Sequence, residues 1–480
     1  MRRLILAACL CGAAALPAAA QQARSISASD RQQGAQANPQ LVAEYGGVYR
    51  GPQAAFVERV GKRVAVESGL SNASGDFTVQ TLNSPVENAF AIPGGYVYVT
   101  RQLLALMNSE AELASVLGHE VGHVAANHSR GRQRASGIGS ILGSLGQAAA
   151  GRFLGSGIAG ALGTRAAQIA PQLAVLGYGR NQEYEADALG VRYIAAAGYD
   201  PYAAASMLTQ LNAETTLSAR VAGQNNAVPT WMSTHPNGAD RVARARKLAQ
   251  ATGKAPATGA QDTAFLRMLD GLPYDDDPQQ GVVDGQRFVH PTLRLRFDAP
   301  AGYKIANGAD AVTVVGSGGQ AQMKTAPATT DLAGFVRQQM ASLGATQTGD
   351  VQAGSSASGL RYAATTTRAN ASGRVVDVTV VAYSFPNATN WFTLVTPAGS
   401  GIAPFQPLLS SVATLTPAQA AAVRGKVVRV VAVRAGDTID SLAARMAYPD
   451  YRRERFTTLN GVASDADLRP GMLVKLVVNG

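Results

Sequence analysis

The sequence predicts a multidomain α+β protein: a mainly helical first domain with a small β-sheet, then an α+β domain, then a small βααβ unit. Three observations lead there. At 480 residues the chain is longer than one ordinary core. Its apolar residues recur with helical spacing up to about residue 250 and with strand-like alternation after about residue 262. Residues 426–480 then read as strand, helix, helix and strand, punctuated by Gly436-Asp437-Thr438 and Leu468-Arg469-Pro470-Gly471.

The first twenty residues read as an export signal. Arg2 and Arg3 precede an apolar run over residues 4–16, and Ala18-Ala19-Ala20 offers a small-residue cleavage site. The run is too short to span a bilayer. Cys9 and Cys11 both lie inside it, so the remainder can form neither a disulfide nor a thiolate metal site. The segment Leu6-Ala7-Ala8-Cys9 has the look of a lipid-attachment box, but the apolar stretch before Cys9 is short for one. The expected compartment is therefore the periplasm of a Gram-negative-type bacterium, with lipoprotein anchoring as the lesser alternative. The formal charge of +10 is spread without Lys/Arg blocks, which speaks against nucleic acid as a partner.

Residues 21–45 are polar and are expected to form a flexible lead-in. The helical domain is expected over residues 46–250. Ser109 and Glu112 form a capping-box pattern ahead of Leu113, Val116, Leu117, Val121 and Val124. Asn88 to Val99 reads as two short strands about Pro93-Gly94-Gly95. Residues 131–170 hold ten glycines and scattered Ile and Leu, a pattern of a helical hairpin or loop with peripheral membrane contact as the alternative. Residues 251–262 resemble a linker. In the second domain, residues 263–420, Leu293, Leu295 and Phe297 alternate with Arg294 and Arg296. Strands are expected over residues 375–383 and 391–395, and Leu332, Phe335, Val336, Met340 and Leu343 mark one helix. No catalytic constellation shows there, and His290 reads as structural.

The chemistry is concentrated at residues 119–128, which hold three of the five histidines. His119-Glu120-Val121-Gly122-His123 is an HExxH motif. Residues four apart share a helix face, so both imidazoles can serve one metal while Glu120 acts on a water beside it. Some sixty residues later, Glu183 and Asp187 share a face in the same way. Glu183 can complete a His₂Glu site, and Asp187 can accept the second N–H of a ligand imidazole. Glu185 points elsewhere by this periodicity and reads as a solvated charge. His128 reads as a helix-end histidine, with a carboxylate partner as the alternative. Arg180 and Arg241 read as braces between helices.

These motifs, with Asn88-Ala89-Phe90-Ala91-Ile92-Pro93-Gly94-Gly95 and Ser233-Thr234-His235-Pro236, resemble those of one zinc metallopeptidase family. It includes the HtpX, BepA and CAAX-prenyl-protease types, and the likeness covers residues 46–250. The resemblance implies a zincin-type metallopeptidase domain with one zinc per chain, held by His119, His123 and Glu183. It implies Glu120 as catalytic base and His235 as a second catalytic residue, either donating to the oxyanion or occupying the fourth zinc position at rest. It also implies that Asn88, Ala89, Phe90 and Ala91 bind an extended substrate by strand pairing. The chain lacks the membrane spans of some of these types and the 34-residue repeats of others. Residues 426–480 resemble a LysM module, which implies peptidoglycan as a partner.

The expected function is an exported zinc endopeptidase acting on unfolded or misassembled envelope proteins. A chaperone-like or cell-wall-associated assembly factor on the same scaffold is the alternative.

Overall fold

The computed structural model of the chain describes residues 25–70, 73–128, 178–221, 235, 240–257, 261–345, 349–371 and 374–480. The expected signal segment 1–20 and the Gly-rich segment 131–170 lie outside the described residues.

The first unit is built on a three-stranded sheet. Strand β1 (Thr78–Leu82) runs parallel to β3 (Tyr96–Thr100), and β2 (Ala89–Ile92) pairs antiparallel on the other side of β3. The turn between β2 and β3 needs glycine, since Gly94 and Gly95 take φ of 89° and 83°. One face of the sheet presents Val79, Ala89, Val97 and Val99 to the core shared with helices α2 (Gln53–Val66) and α5 (Glu110–Ala125). Short helices α3 (Ala73–Asp76) and α4 (Arg101–Leu106) flank the sheet.

The other face is covered by helix α1 (Ala28–Glu44), where the sequence pattern suggested a flexible lead-in. That expectation is corrected. Leu41 and Tyr45 join Phe90, Ile92 and Tyr98 in one apolar cluster, and Tyr98 Oη donates to Asn38 Oδ1 at 2.6 Å. The buried stripe runs through Ile26, Asp30, Gly34, Leu41 and Tyr45, so its spacing is helical although its composition is largely polar or small.

Helix α6 (Arg180–Ala196) lies against α5, and its close approach depends on residues without bulk. A Cβ on Gly190 would stand 2.9 Å from the backbone N of His119, and one on Gly122 would stand 3.1 Å from Ala186 O. The crossing therefore presses the two motif-bearing helices together. Helices α7 (Ala203–Val221) and α8 (Arg241–Ala251) complete this layer.

Helix α9 (Thr263–Met268) does not open the second domain. Phe265, Leu269 and Leu272 are buried in the first core, and β4 (Pro273–Tyr274) pairs with β16 (Lys426–Ala432) near the end of the chain. The second domain thus loops out between β4 and β16. It contains a seven-stranded antiparallel sheet in the order β11-β12-β13-β14-β10-β9-β8, with β8 Lys304–Asn307, β9 Val312–Gly316, β10 Gly319–Pro327, β11 Gln352–Ser355, β12 Arg361–Ala371, β13 Arg374–Ser384 and β14 Ala388–Pro397. A four-stranded sheet in the order β15-β7-β6-β5 packs beside it, with β5 Val282–Asp284, β6 Arg287–His290, β7 Leu295–Asp298 and β15 Ala413–Thr414. Helix α10 (Leu332–Ser342) buries Leu332, Val336 and Met340 against Val376, Val378 and Val380. Phe288, Phe297, Phe392 and Phe405 fill a second cluster. Helices α11 (Gln406–Ser411) and α12 (Pro417–Ala422) lead out of it.

The last unit is a βααβ arrangement: β16, α13 (Ile439–Ala443), α14 (Arg452–Asn460) and β17 (Leu473–Asn479), with β16 and β17 antiparallel. It is bolted to the first unit. Lys475, fully buried, donates from Nζ to the carbonyls of Ala105, Leu106 and Met107 at 2.7, 3.2 and 2.6 Å. An ammonium there satisfies the last carbonyls of α4 and meets the negative end of its dipole. Among the described residues, no helix is long and apolar enough to cross a membrane.

Candidate metal centre

Helix α5 begins at Ser109, whose hydroxyl accepts from Glu112 N at 3.1 Å, while Glu112 Oε2 accepts from Asn108 N at 2.7 Å. From that start the helical period carries His119, Glu120 and His123 onto the face that meets α6, and all three are buried. Helix α6 supplies Glu183 and Asp187 one turn apart, also buried.

The side chains converge on one point. His119 Nε2 lies 3.0 Å from His123 Nε2 and 3.2 Å from His235 Nδ1. Glu183 Oε1 lies 3.1 Å from His235 Nδ1 and 3.5 Å from His123 Nε2. The ligand atoms of these four residues fall within 4.8 Å of one another. Four donors about 2.0–2.1 Å from a tetrahedral zinc are about 3.3–3.4 Å apart, so the observed edges fit such an ion. Three neutral imidazoles and one carboxylate are also a donor set that zinc accepts.

The surroundings favour positive charge. Burial pulls the His119 ring down, but Asp187 and Glu183 more than offset it and push the ring up to about 10. Burial would raise Glu183, yet the charge of His235 and hydrogen bonds from His119, His123 and His235 hold it well below the usual carboxylate range. His123 goes the other way, held toward its neutral form by burial and by the neighbouring His119 and His235. A dication at the centre would take the place of the shared proton.

The supports are as specific as the ligands. His119 Nδ1 is 3.0 Å from Asp187 Oδ1, as the spacing of α6 predicts. Arg241, at the start of α8 and 1% exposed, clamps that carboxylate with Nε to Oδ2 at 2.9 Å and Nη2 to Oδ1 at 2.7 Å. Its Nη1 also lies 2.9 Å from Glu183 Oε2. Arg241 braces helices as expected, but it does so inside the metal centre, and only the tertiary fold reveals that. His128, expected as a plain helix-end residue, is instead buried with Nδ1 2.9 Å from His123 Nδ1 and Nε2 3.2 Å from Glu185 Oε2. Glu185 therefore has a partner, although its side chain is 61% exposed. Tyr178 was not anticipated. Its ring stacks on His123 with centroids 3.6 Å apart.

Residues 52–249 match the family described as Peptidase family M48. This segment is an M48 zinc metallopeptidase domain. The domain shares 29% identity over 226 residues with a beta-barrel assembly-enhancing protease of Yersinia pestis, covering 44% of this chain and 42% of that protein. It shares 32% identity over 191 residues with a mitochondrial metalloendopeptidase OMA1 of Arabidopsis thaliana, covering 40% of this chain and 34% of the relative. With OMA1 of Schizosaccharomyces pombe the figures are 29% identity, 40% and 51%. The chain thus spans about a third to a half of the length of these curated relatives. Among solved structures, PsbP of Synechocystis is similar over 28% of this chain and 98% of its own, at 15% identity and a TM-score of 0.22, which is too slight to argue from.

The M48 domain places the expected substrate segment unevenly. Asn88 is fully buried and structural: Nδ2 donates to Tyr45 Oη at 2.9 Å, and the backbone N donates to Thr100 Oγ1 at 3.1 Å. Ala89 faces the core beneath the sheet and Phe90 the α1 cluster. Ala91, Ile92 and Pro93 line a small pocket together with His123, Asn127 and Tyr178. β2 is an edge strand of its sheet, hydrogen-bonded to β3 alone among the described strands.

Proposed function

We propose that the chain is a zinc-dependent endopeptidase, exported to the periplasm, that cleaves unfolded or misassembled envelope proteins. The observation that carries this reading is the convergence of His119 Nε2, His123 Nε2, Glu183 Oε1 and His235 Nδ1 beside the buried Glu120. When bound, zinc supplies a Lewis acid for a peptide carbonyl and brings the pKa of water toward neutrality. Glu120, fully buried one residue from His119, takes the proton of the attacking water and hands it to the leaving amine. The edge of β2 at Ala91 offers backbone groups for an extended substrate leading to His123. The names of the bacterial relatives and the residue pattern at 1–20 support the compartment and the substrate class.

His235 closes the set. Its Nδ1 would offer a fourth donor to a bound zinc, while its Nε2 lies 3.4 Å from Glu120 Oε1. With zinc held by all four side chains, a substrate oxygen would have to displace His235 or add as a fifth ligand. This favours a resting state, and it gives the chaperone-like clamp its one specific support. The docking of the βααβ unit through Lys475 supports a bracing role for it more directly than one in holding peptidoglycan.

The test uses the purified chain with casein. Zinc should be stoichiometric, and Glu120→Gln should lower cleavage by about 10²–10⁴-fold while zinc is retained. Cleavage that survives in that variant overturns the mechanism. Full rescue of a deletion strain by Glu120→Gln would instead establish the clamp. His235→Ala should raise casein cleavage if the resting reading holds, and a loss would assign His235 to the oxyanion.

A further inference from the structure

The two rings of the HExxH motif differ in what stands behind them. His123 faces the centre with Nε2 and turns Nδ1 toward His128 at 2.9 Å. Two ring nitrogens at that distance require one N–H and one lone pair. A metal on Nε2 of His123 leaves its proton on Nδ1, so His123 donates and His128 Nδ1 accepts. His128 then carries its own proton on Nε2, which faces Glu185 Oε2 at 3.2 Å. The metal at one end and the carboxylate at the other fix both tautomers.

The backbone is shaped for this contact. Helix α5 ends at Ala125, and Asn127 takes a φ of 55°, a left-handed conformation that asparagine tolerates better than most residues. That reversal returns His128 to the ligand face. Gln182 Nε2 reaches the carbonyl of His128 at 3.4 Å, linking this turn to the first turn of α6.

We propose that His128 and Glu185 are positioning residues for the ligand His123, and that through this relay they set the affinity of the site for zinc. The inference rests on the zinc-peptidase reading above. A ligand imidazole whose second nitrogen is held by an outer partner is better oriented and more basic, and removing such a partner raises the metal dissociation constant by about 10–100-fold.

The experiment measures the zinc Kd of the full chain by competition with a chromophoric chelator. Glu185→Ala should raise Kd by about 10-fold and His128→Phe by about 100-fold. Glu185→Gln, whose amide oxygen still accepts from Nε2–H, should restore most of the affinity. Metal-free Glu185→Ala should melt with the metal-free wild type, because the Glu185 side chain is 61% exposed and its removal opens no cavity. A zinc Kd unchanged in folded Glu185→Ala overturns the proposal, and that half-surface variant remains decisive if His128→Phe does not fold. A wild-type chain that takes up no zinc would overturn the metal reading itself. Tight, stoichiometric zinc in every variant would overturn this inference alone.

Discussion

His119 and His123 stand one helical turn apart and meet the same point, but the protein holds them by different means. Behind His119 lies Asp187, itself gripped by two nitrogens of the buried Arg241. Behind His123 lies another imidazole, then a carboxylate that is 61% exposed. The first support is an ion pair shut away from water, which is costly to break from one side. The second is a relay that ends at the surface, where the charge is cheaply solvated. Both supports are therefore expected to tune metal affinity, the buried one more strongly, while only the buried one should also carry much stability.

The largest effect should come from Arg241→Leu, which leaves the carboxylates of Asp187 and Glu183 buried without their guanidinium. About 3–5 kcal/mol of stability should be lost, read by urea denaturation. A loss below about 1 kcal/mol would make the two supports alike. Asp187→Asn can still accept from His119 but loses the ion pair, and it should raise the zinc Kd by about 100-fold. If it costs no more than Glu185→Ala, the comparison fails.

Lys475→Met tests whether stability can fall far from both histidines without touching the metal. It strips three carbonyls of their donor, so about 1–3 kcal/mol should be lost with zinc affinity unchanged.

The smallest effect concerns acid. Burial pushes His290 in the second domain down to about 4, from 6.5. The unfolded chain then binds more protons between pH 6.5 and 4, so this contribution is complete above about pH 6.5 and is lost as pH falls toward 4. His290→Asn should flatten that part of the stability profile and leave the zinc Kd alone. An unaltered slope would return the acid loss to the metal centre.

The candidate metal site was legible in large part because its spacing is local. His119 and His123 stand one helical turn apart, as do the candidate ligand Glu183 and the supporting Asp187, and Pro93-Gly94-Gly95 announces its turn by residue type. The other supports were not. His128 lies five residues after a ligand, and a regular helix would aim it away; only the left-handed Asn127 brings it back. Arg241 reaches Asp187 across 54 residues of sequence. Helix α1 was hidden by its composition, since Asp30, Gly34 and Asn38 make contacts that leave no apolar trace. The join between β4 and β16 depends on two residues pairing across the whole second domain.

That join bears on how the chain matures. Val428 belongs to the core beneath the metal site, and Lys475 caps a helix that begins directly after β3. A ribosome delivers both only after the entire looped-out domain has been made. The first unit thus lacks part of its own buttress until the second domain has been made, so its core closes around the metal-site helices only after the chain has passed through the looped-out sheets.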